Sequence, residues 1–136
     1  FILYLFFLLM IVGCEPPTDV RLKVENRTNR VIYARFEQDN TLSRSENIIG
    51  YAHPTDKIKP HEITPFLQIG SNNAWEYFIN SSKDSTMHLF IFYEDTLIKY
   101  SIAEIIEQNK FARKYDLKVN HLDAMNWTVI FIDGHN

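Results

Sequence analysis

The residues of this chain with chemical potential are five histidines, one cysteine and a few paired acids. His53, His61, His88, His121 and His135 are scattered and lack the close, repeated spacing that a metal site draws on. His61-Glu62 opens like a zinc-peptidase motif, but Thr64-Pro65 stand where the second histidine would have to fall. His88 lies inside an apolar run and is expected to be a hydrogen-bonded sheet histidine. Cys14 is the only thiol, and no Gly-x-Ser-x-Gly elbow presents a serine nucleophile. Glu94-Asp95, and Asp116 with Asp123, could face each other across a cleft as glycoside hydrolysis requires. Acids at strand ends and helix starts serve turns and caps equally well. Four glycines in the whole chain make no phosphate-cradling loop. These patterns point to no catalytic residue, no metal and no cofactor. Aromatic side chains make the better binding argument: Trp75, Tyr77, Tyr51, Tyr93, Tyr100 and Tyr115 could stack on a glycan or a partner protein. Core filling competes for the same residues, and Trp127 is expected in the core.

Cys14 has a different chemistry. Phe1 to Val12 is an uncharged apolar run, followed by Gly13, Cys14 and Glu15-Pro16-Pro17. As a helix the run reaches about 20 Å, short of a ~30 Å hydrocarbon core, and suits the h-region of a signal peptide. The chain opens on Phe, so a basic n-region is expected ahead of it. Ile11-Val12-Gly13-Cys14 resembles a bacterial lipobox, with Ile11 where leucine is more usual. The resemblance implies cleavage before Cys14 and a diacylglycerol thioether on its sulfur. Pro16-Pro17 would break any helix continuing through them, which argues against a simple signal anchor. The expected layout is therefore a signal peptide over 1–13, a lipidated tether over 14–19 and one domain over 20–136. The domain would be held at the cell envelope by lipid on Cys14, with the outer membrane as the expected site and its face left open.

A net charge of -3 without a dense basic cluster argues against nucleic acid; Lys110, Arg113 and Lys114 are the densest cationic group. A hydrophobic share of 46% over 136 residues supports a packed core, and a lone cysteine leaves that core without an internal disulfide.

The elements that must position any site read mostly as strands. Val20, Leu22 and Val24 alternate with Arg21, Lys23 and Glu25. Asn26 to Asn29 reads as a turn into Arg30 to Phe36, giving an expected hairpin. The polar stretch 37–60 holds one apolar cluster, Ile48 to Tyr51, which suggests a short edge strand. Ile63 to Ile69, Trp75 to Ile79 and Met87 to Tyr93 read as further strands. Met87 to Tyr93 is apolar on both faces and should be central, and Trp127 to Ile132 should equal it in burial. Ser101-Ile102-Ala103-Glu104 fits a capping box ahead of Ile105 and Ile106, and a second short helix begins near Asn120 with Leu122 and Met125 inward. The sum is a mainly β, antiparallel two-sheet sandwich, of immunoglobulin or transthyretin type, with one or two short helices before the last strand.

Trp75, Phe90-Ile91-Phe92, Asp95-Thr96-Leu97, Arg113-Lys114-Tyr115-Asp116-Leu117, Leu122 and Asn126-Trp127-Thr128-Val129 come in an order that resembles small lipoproteins of gut Bacteroidetes. The likeness runs from about Trp75 to Phe131, with a weaker echo at Asn26 and Ile32-Tyr33. It implies the envelope compartment and the lipid anchor, and brings no activity with it. Asp95-Thr96-Leu97 and Asp84-Ser85-Thr86 further resemble the acceptor triplet for O-glycosylation in those bacteria, making Thr96 and Ser85 candidate modification sites. Asn26-Arg27-Thr28 and two similar triplets fit the N-glycosylation pattern, which carries no expectation in a bacterial lipoprotein. The reading that results is a non-enzymatic envelope module for a glycan or envelope protein. A structural or assembly subunit is the alternative, and a small carboxylate-using hydrolase comes third.

Overall fold

The computed structural model describes residues 16–43 and 53–134. Cys14, Tyr51, His135 and the expected edge strand at Ile48 to Tyr51 lie outside the described residues. Among the described residues nine strands are arranged as β1 (Thr18–Asp19), β2 (Lys23–Asn26), β3 (Ile32–Glu37), β4 (Lys57–Ile58), β5 (Ile63–Pro65), β6 (Gln68–Ile69), β7 (Met87–Tyr93), β8 (Arg113–Leu117) and β9 (Thr128–Phe131). Four short helices join them: α1 (Ala74–Asn80), α2 (Glu94–Lys99), α3 (Ile102–Glu107) and α4 (Val119–Ala124). The fold is mainly β and sandwich-like. A four-stranded antiparallel sheet, β4-β3-β7-β8, faces a three-stranded sheet, β5-β2-β9, and β1 pairs with β6 in a short ribbon. Most pairings are antiparallel, and β2 with β9 is parallel.

β7 is central because both of its faces are apolar. Met87, Leu89 and Ile91 join Leu22, Val24, Ile32, Val129 and Phe131 in the core between the sheets. Phe90 and Phe92 point the other way, into a smaller cluster with Tyr33, Leu42, Leu97 and Ile105. Each fully buried aliphatic or aromatic side chain contributes about 1.5–3 kcal/mol, so β7 stabilises two cores at once.

Several expectations are corrected. Strands β2 and β3 do not form a hairpin. The segment Arg27 to Val31 carries the chain from one sheet to the other, so the two strands lie in different sheets. Val20 does not share a face with Leu22: it is 50% exposed, while Leu22 is fully buried. Thr18 pairs with Ile69 and Asp19 with Gln68, whereas Lys23 pairs with Pro65. Four steps thus separate Asp19 from Lys23 against three from Gln68 to Pro65, and the one extra residue reverses the alternation, as a bulge does. Trp75 to Ile79 is helix α1 rather than a strand, because Trp75, Phe78 and Ile79 make an i, i+3, i+4 apolar stripe. Ile63 to Ile69 divides into β5 and β6. β9 is an edge strand, not the equal of β7: Val129 and Phe131 are buried, but Ile130 and Ile132 are 38% and 44% exposed.

The capping box at Ser101 forms as expected, Ser101 Oγ accepting from Glu104 N and Glu104 reaching back to Ser101 N. Helices α1 and α2 and strand β8 were not expected as such. Helix α4 buries Leu122, while Met125 is 37% exposed rather than inward. Helix α4 ends in a Schellman arrangement: Trp127 N donates to Leu122 O at 2.7 Å and Asn126 N to Asp123 O at 3.2 Å. Asn126 sits there with φ 51 and Trp127 with φ 56. Asparagine tolerates the left-handed region better than other side chains. Asn109 closes α3 in the same way, at φ 49.

Replacing Asn126 by Val should therefore lower stability by about 1–2 kcal/mol in urea denaturation, while Asn126→Gly should cost nothing or add slightly.

Candidate functional site

Among the described residues one concavity is an aromatic recess of about 330 Å³ between β3, the Phe66–Gln68 segment and α1. Phe36, Phe66, Trp75 and Phe78 make its walls, and Arg35, Asp56 and Gln68 supply its polar lining. The rings interlock: Phe36 lies 4.9 Å from Phe66 edge-on and 5.2 Å from Trp75, and Trp75 is 5.6 Å from Phe78 edge-on. Trp75 is fixed at its indole nitrogen, which donates to Phe66 O at 3.2 Å.

The helix that carries Trp75 and Phe78 is anchored from a distance. Asn73, at its N-cap, makes no side-chain capping bond. Asp19 takes that role, accepting from Trp75 N at 3.2 Å. Arg21 then grips Asp19 through both carboxylate oxygens, at 3.0 and 2.8 Å, and reaches Glu76 at 2.9 Å. Its guanidinium also lies 4.3 Å above the Trp127 ring. Gly70 permits the tight approach to α1, since a Cβ there would sit 2.9 Å from the Ala74 Cβ. Burial works to raise the Asp19 pKa, but the hydrogen bonds from Arg21 and Trp75 N outweigh it and hold the carboxyl below its usual range. On the recess wall, burial pushes the Asp56 carboxyl up, partly offset by the Thr55 hydroxyl and the charges of His53 and Arg35. A single acid there, without a partnering carboxylate in the lining, can hold a hydroxyl or an amide.

A second recess, of about 390 Å³, opens on the other face of the four-stranded sheet. Leu42, Phe90, Ile106 and Phe111 floor it, with Asn40, Asn109 and Lys114 among its polar lining.

The structure does not bring the sequence-nominated acids together. Glu94 binds Lys57 at 2.7 Å, and Asp95 is held by Arg30. Asp116 receives Nδ1 of His88 at 2.7 Å, and Asp123 accepts from the Trp127 indole at 2.9 Å. His88 is buried and hydrogen-bonded in its strand, as expected. Its contact, helped by Lys114 and against burial, which works to raise it, holds the Asp116 carboxyl below its ordinary value. Of the other described histidines, His53 caps the turn at Pro54, His61 meets Asn29 at 2.9 Å, and His121 is exposed on α4. Among the described residues no group of three or more His, Cys, Asp or Glu is placed to hold a metal ion.

Among the nominated aromatics, Trp75 lines the recess, Tyr77 is 78% exposed on α1, and Tyr93, Tyr100 and Tyr115 are half-buried. Lys110 lies 4.1 Å over Tyr100, and Lys114 is tied to Asp116, so that cationic group is dispersed among its own partners. Ser85 is exposed in a turn at φ 51, while Thr96 is half-buried on α2. The Asn26 side chain is fully buried and closed to modification. Sequence reasoning missed Phe36, Phe66, Phe78 and Asp56 as site residues. The Trp75-x-x-Phe78-Ile79 stripe of α1, read at helical period, was the signal that could have found Phe78.

Comparison with family models, with curated proteins and with solved structures finds no significant match for this chain.

Asp19→Asn offers a direct check on how α1 is held. A carboxylate with a depressed folded pKa adds stability above its unfolded value, and that contribution is lost as the pH falls through the folded value. The melting temperature of the wild type should exceed that of Asp19→Asn near neutrality, and the gap should close between about pH 5 and pH 2.

Proposed function

We propose that this chain is an envelope lipoprotein, held by lipid on Cys14, whose domain binds a small polar ligand without transforming it. The observation that carries the binding reading is the aromatic recess, whose walls of Phe36, Phe66, Trp75 and Phe78 combine with Arg35, Asp56 and Gln68. The half-buried rings of Phe36 and Phe78, backed by buried Phe66 and Trp75 and flanked by a few hydrogen-bonding groups, suit a saccharide ring, whose C–H faces are apolar and whose hydroxyls are not. The recess has a volume near the lower end of small-ligand sites, enough for one or two rings or for one side chain of an envelope protein. A glycan is the preferred class, because the lining sets the Asp56 carboxyl and the Gln68 amide beside the rings.

The engagement of Glu94, Asp95, Asp116 and Asp123 elsewhere supports binding over carboxylate hydrolysis. The lipid anchor is supported by the Ile11-Val12-Gly13-Cys14 sequence and the Pro16-Pro17 pair that follows it. Among the described residues no helix is long and apolar enough to cross a membrane. An assembly subunit pairing through a sheet edge would use an edge strand of the three-stranded sheet, β9 with its exposed Ile130, or β5. Pro65 in β5 removes a backbone donor and makes that strand a poor template for a further strand. Glycosylation at Ser85 fits this reading more readily than at Thr96, because Ser85 is the exposed one.

The two tryptophans give the test its own control. Proton–nitrogen NMR of the Cys14→Ser protein, titrated with a panel of envelope saccharide fragments, should shift the Trp75 indole signal and leave that of Trp127 in place. A panel that moves neither signal, or both equally, would contradict a recess-bound saccharide.

A further inference from the structure

We infer that the outward face of the strand run Ile63–Ile69 is a membrane-contacting surface that lays the domain down on the bilayer beside its anchor. The inference rests on the proposed lipid at Cys14 and adds to it an orientation and a set of contacting side chains.

The run alternates strictly. Phe66 turns into the core, and Thr64 and Gln68 are half-buried, while Ile63, Pro65, Leu67 and Ile69 turn out. Ile63 is 54% exposed, Leu67 57% and Ile69 68%. Continuing the Thr18–Ile69 and Asp19–Gln68 register by one residue sets Val20, 50% exposed, across from Leu67 on the same face. The extra residue between Asp19 and Lys23 is what turns Val20 outward, so the bulge extends the apolar stripe instead of burying it. At about 3.3 Å per residue the stripe runs roughly 20 Å along the surface. Exposed apolar patches of that continuity mark contact surfaces on otherwise water-soluble domains.

The occupant follows from where the chain enters. Pro17 O accepts from Gly70 N at 2.8 Å, and Thr18 pairs with Ile69. The chain therefore arrives at the Ile69 end of the stripe. Cys14 stands three residues before Pro17, at most about 11 Å of extended chain. A diacylglyceryl group on Cys14 would put the headgroup layer within that distance of Ile69. No partner protein is needed to cover a stripe that the tether already presses against lipid. Lys23, exposed on the neighbouring strand β2, sits on the same sheet as Ile63 and Pro65 and suits an anionic headgroup. Near it Arg27 is paired with Glu25 at 2.6 Å and adds no free charge.

The test uses the lipidated protein reconstituted in vesicles of phosphatidylcholine and phosphatidylglycerol. Leu67→Cys, Ile69→Cys and, as the distant control, Ile98→Cys are labelled with an environment-sensitive dye. Ile98 is 80% exposed on α2, so it separates burial in lipid from burial in protein. Labels at Leu67→Cys and Ile69→Cys should emit to the blue and be quenched by brominated lipid several-fold more than the label at Ile98→Cys. Equal, weak quenching at all three positions in vesicles that still carry the protein on flotation would overturn the contacting face while leaving the anchor standing. Protein that fails to float, or whose Cys14 in the unmutated chain takes up the dye, would overturn both, and by a different readout.

Discussion

The carboxamide of Asn26 is the tie between the two sheets. It is fully buried at the end of β2, where the chain leaves one sheet for the other. Its nitrogen donates toward three carbonyl oxygens, Arg30 at 2.8 Å, Lys59 at 3.0 Å and Ile58 at 3.2 Å. Its oxygen accepts from the Thr28 amide at 3.0 Å and the Thr28 hydroxyl at 2.8 Å. The backbone of the same residue donates to Glu62 O at 2.9 Å. One side chain thus satisfies the crossover turn and the end of β4, groups that would otherwise be buried without partners. A buried polar network of this kind is worth much when complete and is expensive when any member is missing.

From that tie the rest of the layout follows. β2 is pinned against the β3–β4 edge, and β5 and β9 pair with β2 on either side, which brings Phe66 toward Phe36 and completes two walls of the recess. The third wall, α1, hangs from Asp19 and Arg21 at the beginning of the domain. The same Arg21 stacks on Trp127, so the first and last strands are clamped at one end of the molecule. The recess and the apolar stripe share the Phe66–Ile69 segment, one looking inward and the other outward. Under the two proposals, a ligand-binding wall and a membrane-facing wall would be the two faces of one short strand run, placing captured ligand close to the bilayer surface.

Much of the β content was legible in the chain because alternation is a local signal. Met87 to Tyr93 announced its central place by being apolar on both faces, and Ser101 with Glu104 announced a helix start by their three-residue spacing. What was not legible depended on long-range partners. Nothing local distinguishes a hairpin from a crossover at Asn26 to Asn29, because both need turn residues; the difference lies in two of the Asn26 amide's acceptors, Ile58 and Lys59, some thirty residues away. Trp75 to Ile79 misled because a five-residue apolar run fits either period, and its helix is capped by Asp19 rather than by a neighbour. The recess itself was illegible as a unit: Phe36, Phe66 and Phe78 each look like core residues, and only folding sets them around a polar lining.

The most direct measurement is urea denaturation of Asn26→Asp, which keeps the shape of the side chain and exchanges its donors for acceptors. Facing three carbonyl oxygens, the new carboxyl should cost about 3 kcal/mol or more, lowering the stability of both sheets in one cooperative transition followed by tryptophan fluorescence. A loss below about 1 kcal/mol, or separate transitions for the two sheets, would contradict the role of Asn26 as the tie on which the recess depends.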